Sequence, residues 1–325
     1  MARIIGNLDP TDDYMHPLGP EPNFNESAYY NFFDTRASLG GWFRIGNRAN
    51  EGQAEMTVCL YLPDGRVAFT FARPRIDDNA AHDAGGLTFE VVEPTERHRT
   101  TFDGRCVLMD EPRDMKDPRK AFKENPKLPV RFDLVHQAAG PLYGHKNEDL
   151  DGESAEDSFA KAHFEQHMHV TGSVQVGDDV YEVDGYGLRD HSWGPRHWQA
   201  IHQYEWLTLN FGPDLAAMVS VVQRDQAGEQ RSAGGVIVRE GEFERIVEAT
   251  VEAEYEDNGS FHKSVTAHIK TESGEEHTIT GTVQNFIPLR NRRSEQETYI
   301  GEGMTEWKLG DRTGYGLSEF LRQAK

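Results

Sequence analysis

One stretch of fourteen residues, GYGLRDHSWGPRHW (185–198), combines the polar side chains of an acid–base site with large aromatic rings. If this stretch forms a strand, alternation places Arg189, His191 and Trp193 on one face. Asp190 then points to the opposite face, unless a bulge turns it inward. His191 can exchange protons near neutral pH, and the electron-rich ring of Trp193 can stabilise a developing cation. We therefore predict a site for proton transfer here.

A second polar stretch, HFEQHMH, carries four side chains at period two, which a strand would place on one face: His163, Glu165, His167 and His169. Several imidazoles with a carboxylate suit zinc or iron, so a metal site is one alternative. We favour hydrogen bonds from Glu165 and His167 across a hairpin to the cluster at 189–193, and we predict no metal site. An ordinary solvated face is the remaining alternative, and it fits His163 and His169 best.

Two sets of candidate site residues follow from these patterns. The predicted catalytic residues can move a proton or stabilise a cation: His191, Asp190, Trp193, Glu165 and His167. The predicted substrate-binding residues supply aromatic rings or fixed positive charge: Tyr186, Arg189, Arg196, Trp198, Tyr29 and Arg44. In the alternative interpretation, Arg189 and Asp190 form structural ion pairs and the tryptophans belong to the core.

The composition narrows the class of partner. The 325 residues carry a formal charge of -21, from 55 acidic against 34 basic side chains. Such a surface repels phosphate backbones and anionic membranes, so we expect neither nucleic acid nor membrane insertion. The negative surface does not hinder the binding of a neutral, hydrophobic small molecule. A homodimer is compatible with this composition, which does not determine the oligomeric state.

Several signals are missing from the sequence. No P-loop, strand-following GxGxxG, GxSxG or HExxH motif supports phosphoryl transfer, hydride transfer or hydrolysis by a triad. Cys59 and Cys106 lie in apolar, strand-like runs and are expected to be reduced and buried. The N-terminus lacks an apolar signal-peptide region, and no run approaches the roughly 18 apolar residues of a membrane span. We expect a cytoplasmic protein.

Hydrophobic residues alternate along most of the chain, which predicts an antiparallel all-β protein with few helices. At this length we expect two barrels or sandwiches. The predicted organisation is an N-terminal surface arm (1–25), a first β-domain (26–175) and a second β-domain (176–325). One helix is predicted within 114–126, where Pro118 suits the first turn. The sequence GYGL occurs twice, but four residues can recur by chance.

The stretch RDHSWGPRHW resembles the Asp-His-Asn/Ser-Trp-Gly motif of the carotenoid 1,2-hydratase (hydroxyneurosporene synthase) and AttH-like superfamily. The similarity covers about residues 23 to 320, and it implies two consecutive lipocalin-like β-domains. It also implies an active site containing His191 and Trp193, and cofactor-free addition of water to double bonds of lipophilic molecules. The downstream Asp that donates the proton in those enzymes has no clear counterpart here. Asp190, or Glu165 beside His167, would replace it.

Residue chemistry and resemblance together favour a cofactor-free hydratase, dehydratase or isomerase. Its substrate would be an isoprenoid, a steroid or a prenylated aromatic, bound in a pocket lined by the GYGLRDHSWG motif. One alternative is a lipocalin-like carrier in which Arg189 and His191 anchor a polar group of the ligand. The other is a metal-dependent enzyme that uses the HFEQHMH stretch.

Overall fold

The computed structural model describes residues 2–147, 160–197, 200–257, 259–293 and 296–323. Within these ranges strands dominate, which confirms the all-β prediction. The predicted helix is present as α1 (Pro118–Glu124), preceded by a 3₁₀ turn at Pro112–Lys116. No helix in the described ranges has the length and hydropathy to cross a membrane.

The chain forms two compact units. Unit 1 comprises Met1–Leu62, Val67–Leu108 and Asn125–His197, and unit 2 comprises Pro63–Arg66, Met109–Glu124 and Trp198–Lys325. The predicted division after residue 175 differs from this arrangement. It would separate two strands that are paired along their whole length, β11 (Ala162–Val176) and β12 (Asp179–Pro195). Both strands belong to unit 1.

Unit 1 is a twelve-stranded sheet that closes on itself. Its remaining strands are β1 (Ile4–Ile5), β2 (Phe24–Asp34), β3 (Leu39–Arg48), β4 (Gln53–Tyr61), β5 (Val67–Ala72), β6 (His82–Ala84), β7 (Leu87–Glu93), β8 (Arg97–Met109), β9 (Lys127–Ala138) and β10 (Leu142–Lys146). Hydrogen-bonded neighbours run in a circuit β11-β12-β2-β3-β4-β5-β8-β9 and back to β11. Alternate residues of these strands, such as Phe32, Phe43, Val58 and Leu134, fill the interior.

Unit 2 is a closed antiparallel barrel in which each strand pairs with the next along the chain and the last pairs with the first. Its strands are β13 (Gln203–Asn210), β14 (Leu215–Gln223), β15 (Arg231–Arg239), β16 (Glu242–Tyr255), β17 (His262–Thr271), β18 (Glu276–Arg293), β19 (Gln296–Leu309) and β20 (Arg312–Gln323). Its core includes Leu207, Val219, Ile279 and Trp307. Two such barrels confirm the lipocalin-like, two-domain expectation.

The segment before β2 is exposed or half-buried along most of its length, as expected of a surface arm, but it also makes contacts with the barrel of unit 1. Ile4 and Ile5 form a short parallel pairing with β10. A 3₁₀ turn at Pro10–Asp13 then buries both Asp12 and Asp13. Buried carboxylates need partners from the barrel, so the turn that carries Asp12 and Asp13 enters the interior of unit 1.

The two GYGL sequences occupy equivalent places. Each lies on the strand that closes its barrel, β12 against β2 and β20 against β13. A Cβ atom on Gly187 would lie 1.9 Å from the carbonyl oxygen of Asn31, and one on Gly316 would lie 1.8 Å from that of Thr208. The amide of the following leucine donates to the side-chain oxygen of the same partner, at 2.7 and 3.1 Å. The repeat is therefore structural, although its length alone gave it little weight.

We predict that Gly316→Ala destabilises unit 2 by about 3 kcal/mol or more, at the upper end of the usual cost of overpacking, because the new methyl group must displace a neighbouring backbone. The control is Gly310→Ala in the β19–β20 turn, where φ is +60° but no atom lies within 4 Å of an added Cβ. That change should cost only the backbone strain of about 1–2 kcal/mol. Urea unfolding of both variants measures the difference, and equal or reversed losses would contradict the prediction.

Candidate active site

Strand register brings four of the predicted site residues into one row on the outer face of unit 1. Glu165 lies directly opposite Asp190, which lies opposite Tyr29, which in turn lies opposite Arg44. Tyr143 on β10 extends the row beyond Glu165. Directly paired residues share a face and have Cβ atoms about 4.5–5.5 Å apart. We call these five residues the outer row.

His163 joins the outer row from a neighbouring position on β11. Its Nε2 lies 3.5 Å from Asp190 Oδ2 and 3.9 Å from Glu165 Oε1. The side chains of His163 and Asp190 are 41% and 24% exposed, while Glu165 is buried. Burial would lower the pKa of His163, but the hydrogen bond with Asp190 and the charge of Glu165 raise it above the usual 6.5. An imidazolium beside two carboxylates is therefore within reach of a bound molecule.

The rest of the outer row supplies hydrogen-bond donors and aromatic rings, and its tyrosines are buried. Burial, together with the charge of Glu165, raises the pKa of Tyr143, so its hydroxyl stays protonated and can donate. Tyr29 stacks on Trp42 with ring centroids 6.0 Å apart. Arg44 lies 3.7 Å from Glu55 and is only partly exposed. These groups suit an apolar molecule that carries an oxygen.

Arg196 is buried close to His163. Its Nη2 donates to Ser192 Oγ at 2.7 Å, and Ser192 lies opposite His163. The positive charge of Arg196 acts to lower the pKa of His163. The structure thus brings this predicted residue close to the outer row, whereas Trp198 lies outside the described residues.

Arg189, His191 and Trp193 point to the barrel interior, as alternation predicted. His191 Nε2 lies 3.0 Å from Glu26 Oε1, and His16 Nδ1 lies 2.7 Å from the same oxygen. The His16 ring stacks on Trp193 at a centroid distance of 3.6 Å. We call His16, Glu26, His191 and Trp193 the inner cluster. Because His16 covers one face of the indole, that face cannot stabilise a substrate cation.

Electrostatics fit a sealed inner cluster. Burial opposes ionisation of Glu26, but hydrogen bonds from His16 and His191 outweigh it and hold the pKa of this carboxyl below its usual range. Burial and the nearby charge of His191 lower the pKa of His82 to about 4. Glu26 is thus an anion held by imidazoles and not a proton reservoir for solvent.

Arg189 is fully engaged within the protein, which corrects its assignment to substrate binding. Its Nη1 donates to Asp13 Oδ1 at 2.6 Å, and its Nε and Nη2 donate to Gln166 Oε1 at 3.0 and 2.8 Å. Burial would raise the pKa of Asp13, but the charges of Arg189 and His98 hold it below the usual range. The ion pair links the N-terminal segment to β12. It also occupies the anchor that the carrier alternative required.

Glu165 and His167 do not reach His191, contrary to the expected hydrogen bonds across the hairpin. The β11–β12 turn has two residues, so Val176 pairs with Asp179 and Phe164 pairs with His191. Odd-numbered side chains of β11 therefore lie on the face opposite His191. The ring of His167 lies 6.3 Å from that of Tyr143, near the outer row.

The HFEQHMH side chains do not converge as metal ligands. His169 Nε2 lies 2.7 Å from Asp184 Oδ1, and the His169 ring stacks on Tyr186. His163 instead contacts the outer row. Residues two apart on a strand are about 6.5–7 Å apart, so one ion cannot take ligands from all of them. Tyr186 thereby lies with His169, away from Asp190.

Sequence analysis missed His16, Glu26, Asp13 and Tyr143 as partners of the motif. The first three contact β12 across 165 to 177 residues of chain. No local periodicity encodes such contacts. Tyr143 could have been found, because strand alternation from β11 to β10 places it opposite Glu165.

A family model described as Domain of unknown function (DUF7064) matches residues 9–324. No curated protein matches the chain. A putative AttH from Nitrosomonas europaea has 14% identity and a TM-score of 0.65, with 98% of both chains covered. CghA with Sch210972 has 11% identity and a TM-score of 0.59, covering 93% of this chain and 89% of that one. Kievitone hydratase from Nectria haematococca has 12% identity and a TM-score of 0.57, covering 91% of this chain and 88% of that one. These likenesses confirm the AttH-like fold.

We predict that Arg189→Met lowers the free energy of unfolding by about 3–5 kcal/mol, because Asp13 would remain as a buried, unpaired charge. Arg99→Met is the control, since Arg99 makes a similarly short pair with Asp133 in which the side chains are 44% and 53% exposed. Its loss should stay below about 1 kcal/mol. Urea unfolding at neutral pH measures both, and equal losses would contradict the prediction.

Proposed function

The chain belongs to the DUF7064 family, and we propose that it is an acid–base enzyme of the hydro-lyase or isomerase type that acts on a lipophilic small molecule. The observation that carries this proposal is the partly exposed contact between His163 and Asp190, at 3.5 Å, beside the buried Glu165. Kievitone hydratase, which shares the fold, is named as a hydratase. Fold similarity alone does not assign a reaction, so the outer row supports the proposal.

The outer row is preferred to the inner cluster because a substrate must touch the groups that react. The side chains of His191 and Glu26 are 4% and 0% exposed, and they are hydrogen-bonded to each other. His163 on β11 and Asp190 on β12 lie on the opposite face of the sheet and are partly exposed to solvent. We assign a positioning role to the inner cluster and to the neighbouring Arg189. His191, Trp193 and Arg189 hold β12 so that Asp190 lies across from Glu165.

Water addition can be written with these groups alone. The His163 imidazolium transfers its Nε2 proton to one carbon of a polarised double bond. Asp190 takes a proton from a water molecule whose oxygen bonds to the other carbon. The proton on Asp190 then returns to His163 across their contact, which restores both groups, and the reverse sequence removes water. Isomerisation uses the same proton donor and acceptor without incorporating water.

The outer row also favours a class of substrate. Tyr29, which lies opposite Asp190, and Trp42 form a buried aromatic pair that suits an apolar framework, and the partly exposed Arg44 can donate to an oxygen. An isoprenoid, a steroid or a prenylated aromatic combines both features. Positioned acid–base groups typically contribute about 10²–10⁴-fold to a rate. A double bond conjugated to that oxygen would need the least further stabilisation.

We predict that His163→Gln and Asp190→Asn each reduce turnover by about 10²–10⁴-fold, because each removes one partner of the proton transfer. The matched control is His169→Gln, which breaks a His–Asp pair on the same face of the same strand. Mass spectrometry in ¹⁸O-labelled water, with a panel of terpenoids, steroids and prenylated aromatics, measures conversion and label uptake. Full turnover in both site variants would refute the assignment.

We also predict that turnover falls as pH rises through the raised pKa of His163, because the imidazolium is the proton donor. The groups that face His163 are Glu165 on its own strand, Asp190 and Arg196 from the β12 region, and His145 on β10. Asp190→Asn removes an interaction that raises this pKa, so the pKa should fall in that variant. Titration of the His163 ring by NMR tests this without substrate. An unchanged pKa would contradict it.

A further inference from the structure

Three side chains of the inner cluster bring metal-binding atoms together from three separate elements. Within the described residues, His16, Glu26 and His191 form a group whose donor atoms all lie within 4.8 Å of one another. His16 comes from the segment before β2, Glu26 from β2 and His191 from β12. Their contacts centre on Glu26 Oε1, at 2.7 Å from His16 Nδ1 and 3.0 Å from His191 Nε2.

These separations are close to those of a bound metal ion. In tetrahedral zinc sites the bonds to nitrogen and oxygen are about 2.0–2.2 Å, so ligand atoms lie roughly 3.3 Å apart. The two contacts of Glu26 Oε1 therefore need to lengthen by roughly half an ångström to seat an ion. The two histidine nitrogens already lie within 4.8 Å of each other. The His16 side chain is 17% exposed, which gives an ion a route from solvent.

Neighbouring groups hold the three side chains in place. His16 Nε2 lies 3.5 Å from Asp12 Oδ1, the arrangement in which a carboxylate supports the outer nitrogen of a ligating imidazole. Asn79 Nδ2 donates to Glu26 Oε2 at 2.5 Å, which leaves Oε1 towards the two histidines. Trp193 stacks on the His16 ring, and Phe164 meets His191 edge-on. Both imidazoles are thus oriented by packing.

The donor set selects the kind of ion. Two imidazole nitrogens with one carboxylate suit zinc and other late first-row divalent metals, whereas magnesium and calcium prefer oxygen ligands. Three protein ligands also leave a fourth position for water. We propose that His16, Glu26 and His191 bind one Zn²⁺ ion, which fixes the N-terminal segment to β2 and β12.

This site is distinct from the outer row, because its ligands lie on the interior side of the sheet and none takes part in the proposed proton transfer. An ion there would add bonds that exist only in the folded chain, so it would stabilise unit 1. The two proposals can therefore fail independently. Metal binding can be measured without a substrate.

The test uses the untagged full chain after removal of metal with a chelator and then of the chelator itself. Isothermal titration with zinc chloride should show one ion per chain, and zinc should raise the melting temperature, while magnesium chloride should do neither. His16→Ala should weaken zinc binding about 100-fold or more and abolish the thermal shift. His169→Ala is the matched control, because this histidine lies on β11 outside the inner cluster.

The outcomes separate clearly. Stoichiometric zinc binding that is lost in His16→Ala and retained in His169→Ala supports the site. No binding by the folded wild type, or wild-type affinity in His16→Ala, overturns it, and so does binding that is lost only in His169→Ala. Glu26→Gln should also lose zinc, but if that variant does not fold, His16→Ala still decides, since His16 lies in the segment before the first long strand. Circular dichroism establishes that each variant is folded.

Discussion

Because β12 is hydrogen-bonded along both edges, to β11 and to β2, its side chains must alternate between the barrel interior and the outer face. This alternation divides the RDHSW sequence into two chemically different groups. Asp190 and Ser192 belong to the partly exposed outer face, and Arg189, His191 and Trp193 belong to the sealed interior. A slip of one residue would exchange the two groups, so the pairing of β12 determines what chemistry each face can do.

The charged side chains in the barrel interior are stable only because each has an oppositely charged or hydrogen-bonding partner. Arg189 is too deeply buried to be left without an anion, and Glu26 too deeply buried to be left without donors. The N-terminal segment supplies both needs, Asp13 for the arginine and His16 for the glutamate. Asp13 and His16 thereby connect the N-terminal segment to the barrel interior. Asp190 on the outer face is held in position as well, because it is the next residue after the anchored Arg189 on β12.

Local patterns in the sequence were sufficient for the strands, the short helix, the two barrels and the alternation along β12. They also contained the register of the β11–β12 hairpin, because a two-residue turn at Gly177 makes Glu165 pair with Asp190. Applying that rule would have separated Glu165 and His167 from His191. The contacts of His16 and Asp13 could not be derived in this way. They join segments far apart in the chain, and nothing in a polar, proline-rich stretch indicates which barrel residue it will meet.

The equivalence of the two GYGL strands extends to the residues that follow. Two positions after each leucine stands an acid, Asp190 in unit 1 and Glu319 in unit 2, and each lies directly opposite a glutamate, Glu165 or Glu302. Glu302 in unit 2 has a pKa well above its usual value, because it is buried and lies beside the charge of Glu319. The two units therefore carry a carboxyl pair at equivalent strand positions. In unit 1 the pair has a histidine neighbour and a partly exposed aspartate, whereas in unit 2 both glutamates are buried.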